Sequence, residues 1–122
     1  MKNIYLHLNS RDELLRIDIA NIVYFEADGN YTNIVQANKL KGVVCMNLSR
    51  MQQVLTDSLK EQASVFVRVG KKYIINSSYV YQINVLKQKL LLSDGLHFVF
   101  QLDISKEALR NLKAIYASIK KI

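Results

Sequence analysis

The chain has 122 residues, half of them hydrophobic, which suits one globular domain over residues 1–122 with a single core and no receiver domain. It contains no run of about 18 apolar residues, so no membrane-spanning segment is expected, and its alternating amino terminus lacks the apolar stretch of a secretory signal. We therefore expect a cytoplasmic protein, either free-standing or part of a larger regulator.

The positive charge is concentrated in the second half of the chain. The formal net charge is +7, yet residues 1–64 hold seven Lys or Arg against seven Asp or Glu. Residues 65–122 hold ten Lys or Arg against three acidic residues and so carry the whole excess. This asymmetry indicates a face for a polyanion, such as nucleic acid or an acidic membrane surface.

The hydrophobic pattern predicts strands, a helix, more strands and a second helix. Alternating, β-branched and aromatic residues predict strands at 4–8, 14–17, 22–27, 31–37, 40–45, 66–69, 73–75, 80–86, 90–92 and 97–102. Helical spacing predicts a short central helix over 48–59 behind Asn47 as its N-cap, and a final helix over 104–119 behind Asp103. The expected fold is mostly β, with elongated antiparallel sheets and two small helices.

The run from 66 to 76 places three cations at a predicted hairpin. Gly70, Lys71 and Lys72 supply the turn between two strand-type segments, and Arg68 precedes it. These cations should project from one compact piece of backbone. A solvated lysine pair at a surface turn is the ordinary alternative.

Catalytic chemistry finds little support in the sequence. His7 and His97 lie on predicted strands without a neighbouring nucleophile, and the close carboxylates lie at turns. Cys45, the single cysteine, has no disulfide partner and no zinc-type spacing, and we expect it to be a small buried residue. The sequence therefore predicts no enzyme activity, no cofactor, no metal and no small-molecule substrate.

Four sequence runs resemble the LytTR DNA-binding domain of bacterial transcription regulators. They are IVYFEADGNY at 22–31, LSRM at 48–51, FVRVGKKYIIN at 66–76 and LSDG at 92–95, and the resemblance covers roughly residues 15–115. It implies an elongated, mostly antiparallel β fold with small helices, whose loops enter successive grooves on one side of the DNA.

The resemblance implies three contact regions: the turn at 28–30, the hairpin tip at 70–72 and the passage from the last strand into the final helix. The candidate DNA-binding residues are Asn30, Arg68, Lys71, Lys72, Asn76 and Arg110. Two of them have structural alternatives, because Asn76 could cap the turn at Ser77 and Ser78, and Arg68 could position the hairpin. Lysine is a point charge, so the tip should supply more phosphate affinity than base readout.

The expected partner is double-stranded DNA, most naturally as direct repeats that hold two copies of the chain as a homodimer on DNA. An alternative from another class is a basic β-rich module that binds RNA or another anionic partner. In that case tyrosines would offer stacking surfaces for single strands, and the candidates are Tyr24, Tyr31, Tyr73, Tyr79 and Tyr81. Packing within the strands is the structural alternative for most of them.

Overall fold

The computed structural model describes residues 3–122. They form ten β-strands and two α-helices in the order predicted from the hydrophobic pattern. The elements are β1 (Tyr5–Asn9), β2 (Leu14–Asp18), β3 (Ile22–Asp28), β4 (Tyr31–Gln36), β5 (Lys41–Val44), α1 (Leu48–Leu59), β6 (Phe66–Val69), β7 (Tyr73–Asn76), β8 (Val80–Asn84), β9 (Lys89–Ser93), β10 (Val99–Asp103) and α2 (Lys106–Ala114).

A five-stranded antiparallel sheet lies at the centre of the fold, with the strand order β5-β4-β3-β7-β6. The hairpin β1-β2 and helix α1 cover one face of this sheet, and the three-stranded sheet β10-β9-β8 and helix α2 cover the other. The fold is mostly β, with several antiparallel sheets and two helices, which confirms the predicted fold class.

The described residues form two hydrophobic cores, one on each face of the central sheet, so the expectation of a single core was wrong. On β7, Ile74 packs into the core beside α1, whereas Tyr73 and Ile75 pack into the core beside α2. Successive residues of a strand point to opposite faces, so a strand that is apolar throughout can fill both cores. The central strands β3 and β7 are therefore buried on both sides, which fixes the turns at their ends.

Helix α1 begins as the sequence predicts, because the Asn47 side chain accepts a hydrogen bond from the Arg50 backbone amide at 2.8 Å. The start and the end predicted for the second helix were wrong. Asp103 is the last residue of β10, where it pairs with Lys89, and Ser105 caps α2 instead. Helix α2 ends at Ala114, and Ile115 and Ile119 beyond it are exposed and lie outside both cores.

The expectation that Cys45 is buried was also wrong. Cys45 follows the last residue of β5, leads into the cap of α1, and is exposed to solvent. Cys45 is exposed because it lies in the connection between β5 and α1, although its side chain is apolar. Among residues 3–122, no helix is long and apolar enough to cross a membrane.

Candidate nucleic-acid interface

Two turns lie side by side at one end of the central sheet. Strands β3 and β4 pair up to Asp28 and Tyr31, and strands β6 and β7 pair up to Val69 and Tyr73. Strands β3 and β7 are themselves neighbours, and the Ala27 amide donates a hydrogen bond to the Lys72 carbonyl at 2.8 Å. The turns at 29–30 and 70–72 are thus held together by backbone, and we call this end of the sheet the turn end.

Both α-helices begin near the turn end. The Thr32 hydroxyl, one residue into β4, donates to the Met46 carbonyl at 2.8 Å, which fixes the passage from β5 into α1. On the other face, a Cβ placed on Gly70 would lie 3.7 Å from the Cβ of Ala108 in α2. The early turns of the two helices therefore flank the two β turns.

Asn30 presents a free side-chain amide at the turn between β3 and β4. Gly29 supplies the left-handed backbone there with φ of 59°, and the buried Asn33 fixes the base of the turn through a 3.3 Å hydrogen bond from its Nδ2 to Asp28. Asn30 is exposed, and its side chain makes no hydrogen bond to any residue from 3 to 122. Its amide can both donate to and accept from a ligand.

The two lysines of the hairpin tip differ in their surroundings. Lys71 is exposed and has no ion pair with the part of the chain that the structure describes. Lys72 is exposed too, but its Nζ lies 3.6 Å from a carboxylate oxygen of Glu26 and 5.7 Å from the centre of the Tyr73 ring. Lys72 is therefore directed by its neighbours, whereas Lys71 extends freely from the tip.

Arg68 lies behind the tip and binds its backbone. The Nε donates to the Gly70 carbonyl and one terminal nitrogen donates to the Lys71 carbonyl, both at 3.1 Å. The other terminal nitrogen reaches Gln52 Oε1 at 3.3 Å and Ser49 Oγ at 3.5 Å, on the first turns of α1. Arg68 is only partly buried, yet four of its five N–H groups already have partners within the protein.

Two tyrosines and two carboxylates influence one another near the tip. Burial raises the pKa of Tyr73, and Lys72 opposes that rise whereas the carboxylates of Glu26 and Asp103 add to it. Burial, assisted by Glu26 and Tyr73, raises the pKa of Tyr24 to about 12. Both phenols therefore stay neutral near pH 7, and the negative charge under the tip comes from the carboxylates alone.

Asn76 lies inside the protein at the end of β7 opposite the tip. Its side chain is 3% exposed; Nδ2 donates to the Ile22 carbonyl at 2.9 Å, and Oδ1 accepts from the Ser78 amide at 3.0 Å. The structural alternative described for this residue is the one that the geometry supports. A buried amide with both ends engaged cannot reach DNA, so Asn76 leaves the list of candidate contacts.

We expect Asn76→Ala to destabilise the fold by about 1–3 kcal/mol, because the Ile22 carbonyl and the Ser78 amide would both lose a buried partner. Denaturant unfolding measures this change as a lower midpoint at an unchanged slope. Exposed Asn111→Ala on α2 is the matched control and should leave the midpoint nearly unchanged. If Asn76→Ala unfolds at the same denaturant concentration as the wild-type protein, the buried hydrogen bonds of Asn76 do not stabilise the fold.

Arg110 is not part of the tip. Ala108 faces Gly70, and a residue two positions further along a helix points about 200° away from it, since each residue turns the helix by about 100°. Arg110 is exposed and lines an open groove of about 670 Å³ with Lys113, Lys120 and Lys121. The structure thus separates Arg110 from Lys71 and Lys72 and groups it with cations of the carboxyl-terminal segment.

Two exposed cations near the turn end were not among the candidates. Arg50 in the first turn of α1 lines a groove of about 560 Å³ together with Tyr31, next to Asn30. Lys106 opens α2, two residues before Ala108. Both residues are ordinary helix positions in the sequence. Only contacts between segments far apart in the chain place them near the turn end.

The five tyrosines do not form one stacking surface. Tyr24 packs edge-on against Tyr73 and Phe100, and Tyr79 packs edge-on against Phe98. The two that are exposed are Tyr31 at 49% and Tyr81 at 67%, and they lie on different sheets. Stacking of successive bases needs aromatic rings along one groove, which this distribution does not provide.

The comparisons with known proteins give a family and a fold. The family model of the LytTr DNA-binding domain matches residues 12–117. Among solved structures, a LytTr DNA-binding domain from Bacillus cereus is similar, with a TM-score of 0.62 at 17% sequence identity, covering 95% of this chain and 98% of that one. The comparison with curated proteins gave no match.

The structural likeness shows a shared fold, and the family model covers most of the chain. The chain belongs to the LytTr DNA-binding domain family. This result confirms the resemblance seen in the four sequence runs.

Proposed function

We propose that this chain binds double-stranded DNA sequence-specifically and acts as a bacterial transcription regulator in the cytoplasm. The observation that carries the proposal is the turn end, where the Ala27–Lys72 hydrogen bond holds two exposed turns side by side. Turns that protrude together from a rigid sheet can enter a groove without much loss of conformational freedom on binding. Membership of a DNA-binding family supports the same conclusion.

The residues of the turn end divide into two chemical roles. Lys71 and Lys72 are proposed to neutralise phosphates, since an exposed ammonium group gives affinity with little base discrimination. Asn30 is proposed to read a base edge, because its free amide can make the paired hydrogen bonds that adenine offers in the major groove. Arg110, on the exposed side of α2, is proposed to bind a phosphate outside the groove that the tip occupies.

The partner is proposed to be a pair of direct repeats, with two copies of the chain bound head to tail as a homodimer on DNA. A 14.1 kDa domain with two or three contact regions reads only a short site, and such a site recurs too often to select one promoter. Two adjacent sites lengthen the sequence that is read.

The proposal is tested by the salt dependence of duplex binding. Three cations that each neutralise one phosphate give a log–log slope of about −2.7 per protomer, since each contributes about −0.9. Fluorescence anisotropy with a labelled duplex selected from a random pool measures this slope. A slope near zero would contradict the DNA proposal.

The same titration separates duplex DNA from the RNA alternative. Unlabelled single strands of the same sequence, as DNA or RNA, should compete poorly, because groove-entering turns need two backbones. Equal competition by single strands would favour the alternative, which the scattered exposure of Tyr31 and Tyr81 does not support.

A further inference from the structure

We infer that Arg68 is a positioning residue that holds the hairpin tip against helix α1 in the geometry that DNA requires. The inference rests on the proposed DNA binding at the turn end. It assigns Arg68 a different role from that of Lys71 and Lys72, although all three cations lie within five residues.

Arg68 has already committed most of its hydrogen-bond donors within the protein. Its guanidinium donates to two consecutive carbonyls of the tip, those of Gly70 and Lys71, and to two side chains of α1. Arginine has five N–H groups, so one remains for any other ligand. A bidentate contact to guanine or to a phosphate needs two, and Arg68 cannot supply them without giving up a bond to the tip.

Arg68 holds the backbone of the hairpin tip. The tip is a three-residue turn that starts at Gly70 with φ of 64°, between the paired residues Val69 and Tyr73. Its far side is tied down by the Ala27–Lys72 hydrogen bond. The carbonyls of Gly70 and Lys71 have no other partner in the turn, and Arg68 is what fixes their direction. The orientation of these carbonyls in turn sets the directions in which the side chains of Lys71 and Lys72 project.

Arg68 also connects the tip to helix α1. Ser49 and Gln52 are one turn apart on the same side of this helix, and both accept from the same terminal nitrogen of Arg68. The tip and the start of α1 therefore move as one unit. Lysine at position 68 would keep the charge but cannot span four acceptors, because its single nitrogen carries three donors at one point.

The test is a double-mutant cycle between Arg68 and the tip lysines, read out as affinity for a selected duplex. We expect Arg68→Lys to weaken binding about tenfold in the wild-type background, comparable to the loss of one charged hydrogen bond. In the Lys71→Ala, Lys72→Ala background, Arg68→Lys should lower the affinity only slightly further, because Arg68 acts through these lysines. The Ser49→Ala, Gln52→Ala double variant, which leaves every cation in place, should reproduce part of the loss.

Two results would overturn the inference. Equal losses from Arg68→Lys in both backgrounds would show that Arg68 contacts DNA directly, and full binding by Arg68→Lys would show that only its charge is used. Amide exchange in the free protein gives a second readout, in which Arg68→Lys should speed exchange at 70–72 and leave the strands of the cores protected. If the wild-type protein fails to bind any duplex, the proposed function fails, whereas unchanged exchange at 70–72 rejects the positioning role itself.

Discussion

Replacing Lys71 and Lys72 together by alanine is expected to weaken duplex binding about 30-fold at ~0.15 M salt, on nearly every sequence. Each phosphate contact raises the affinity by about 0.9 log units for each tenfold fall in salt concentration. Going from ~1 M to ~0.15 M salt, one contact therefore raises the affinity about fivefold. Both side chains are exposed at the tip, and alanine removes their charges without disturbing the carbonyls that Arg68 holds. The log–log salt slope should become shallower by about 1.8.

Matched variants show whether this effect belongs to the tip. The pair Lys39→Asn and Lys41→Ala removes the same charge near the start of β5, which is the end of the sheet opposite the tip, and should leave affinity and slope nearly unchanged. Asparagine is chosen at position 39 because the φ of Lys39 is 70°, which asparagine tolerates. Asn30→Ala should keep the slope but alter preference at one or two base positions by about 1–3 kcal/mol each. Wild-type affinity for the tip double variant would remove the tip from the contact surface.

Local patterns sufficed to predict the elements of this fold. The apolar, strand-forming run Tyr73, Ile74 and Ile75 is a property of neighbouring residues, and so is the cap at Asn47. The final helix was misplaced for a local reason too, since Asp103 and Ser105 are both good caps. The structure favours Ser105 because Ile104 is buried and the Ile104 amide donates to the Gln88 carbonyl in the turn before β9.

The candidate interface depends on contacts that a local pattern does not encode. Asn30 and Lys71 become neighbours only because β3 pairs with β7, far along the chain. Asn76 and Asn30 are both asparagines close to the end of a strand, yet Asn76 is buried and makes two hydrogen bonds whereas Asn30 is exposed. Burial at a strand end is set by what packs over it, here the start of β3 and the turn that follows β7. The sequence could therefore identify the cations of the tip. It could not decide that Arg68 holds the backbone whereas Lys71 and Lys72 are exposed to solvent.

Inserting about half a helical turn between two direct repeats is expected to abolish paired binding on DNA. Two head-to-tail copies on one face of the duplex have repeat centres a whole number of turns of about 10.5 bp apart. An insertion of about 5 bp rotates one site to the opposite side of the duplex, so that the two copies can no longer contact each other. An insertion of about 10 bp returns both sites to the same face of the duplex and should partly restore paired binding, since only the distance between the two repeats has changed.

Footprinting across a spacer series, with wild-type protein and single-repeat duplexes as the control, measures this effect. A duplex with a single repeat should need a higher protein concentration for protection than a duplex with two correctly spaced repeats. This concentration does not depend on the spacer, because the contacts of one copy do not change. Only the concentration that protects both repeats together should rise after the half-turn insertion and fall again after the full turn. Equal protection of the half-turn duplex would show that the two copies bind independently, and a single copy would then have to account for specificity through Asn30 and the cations of the tip.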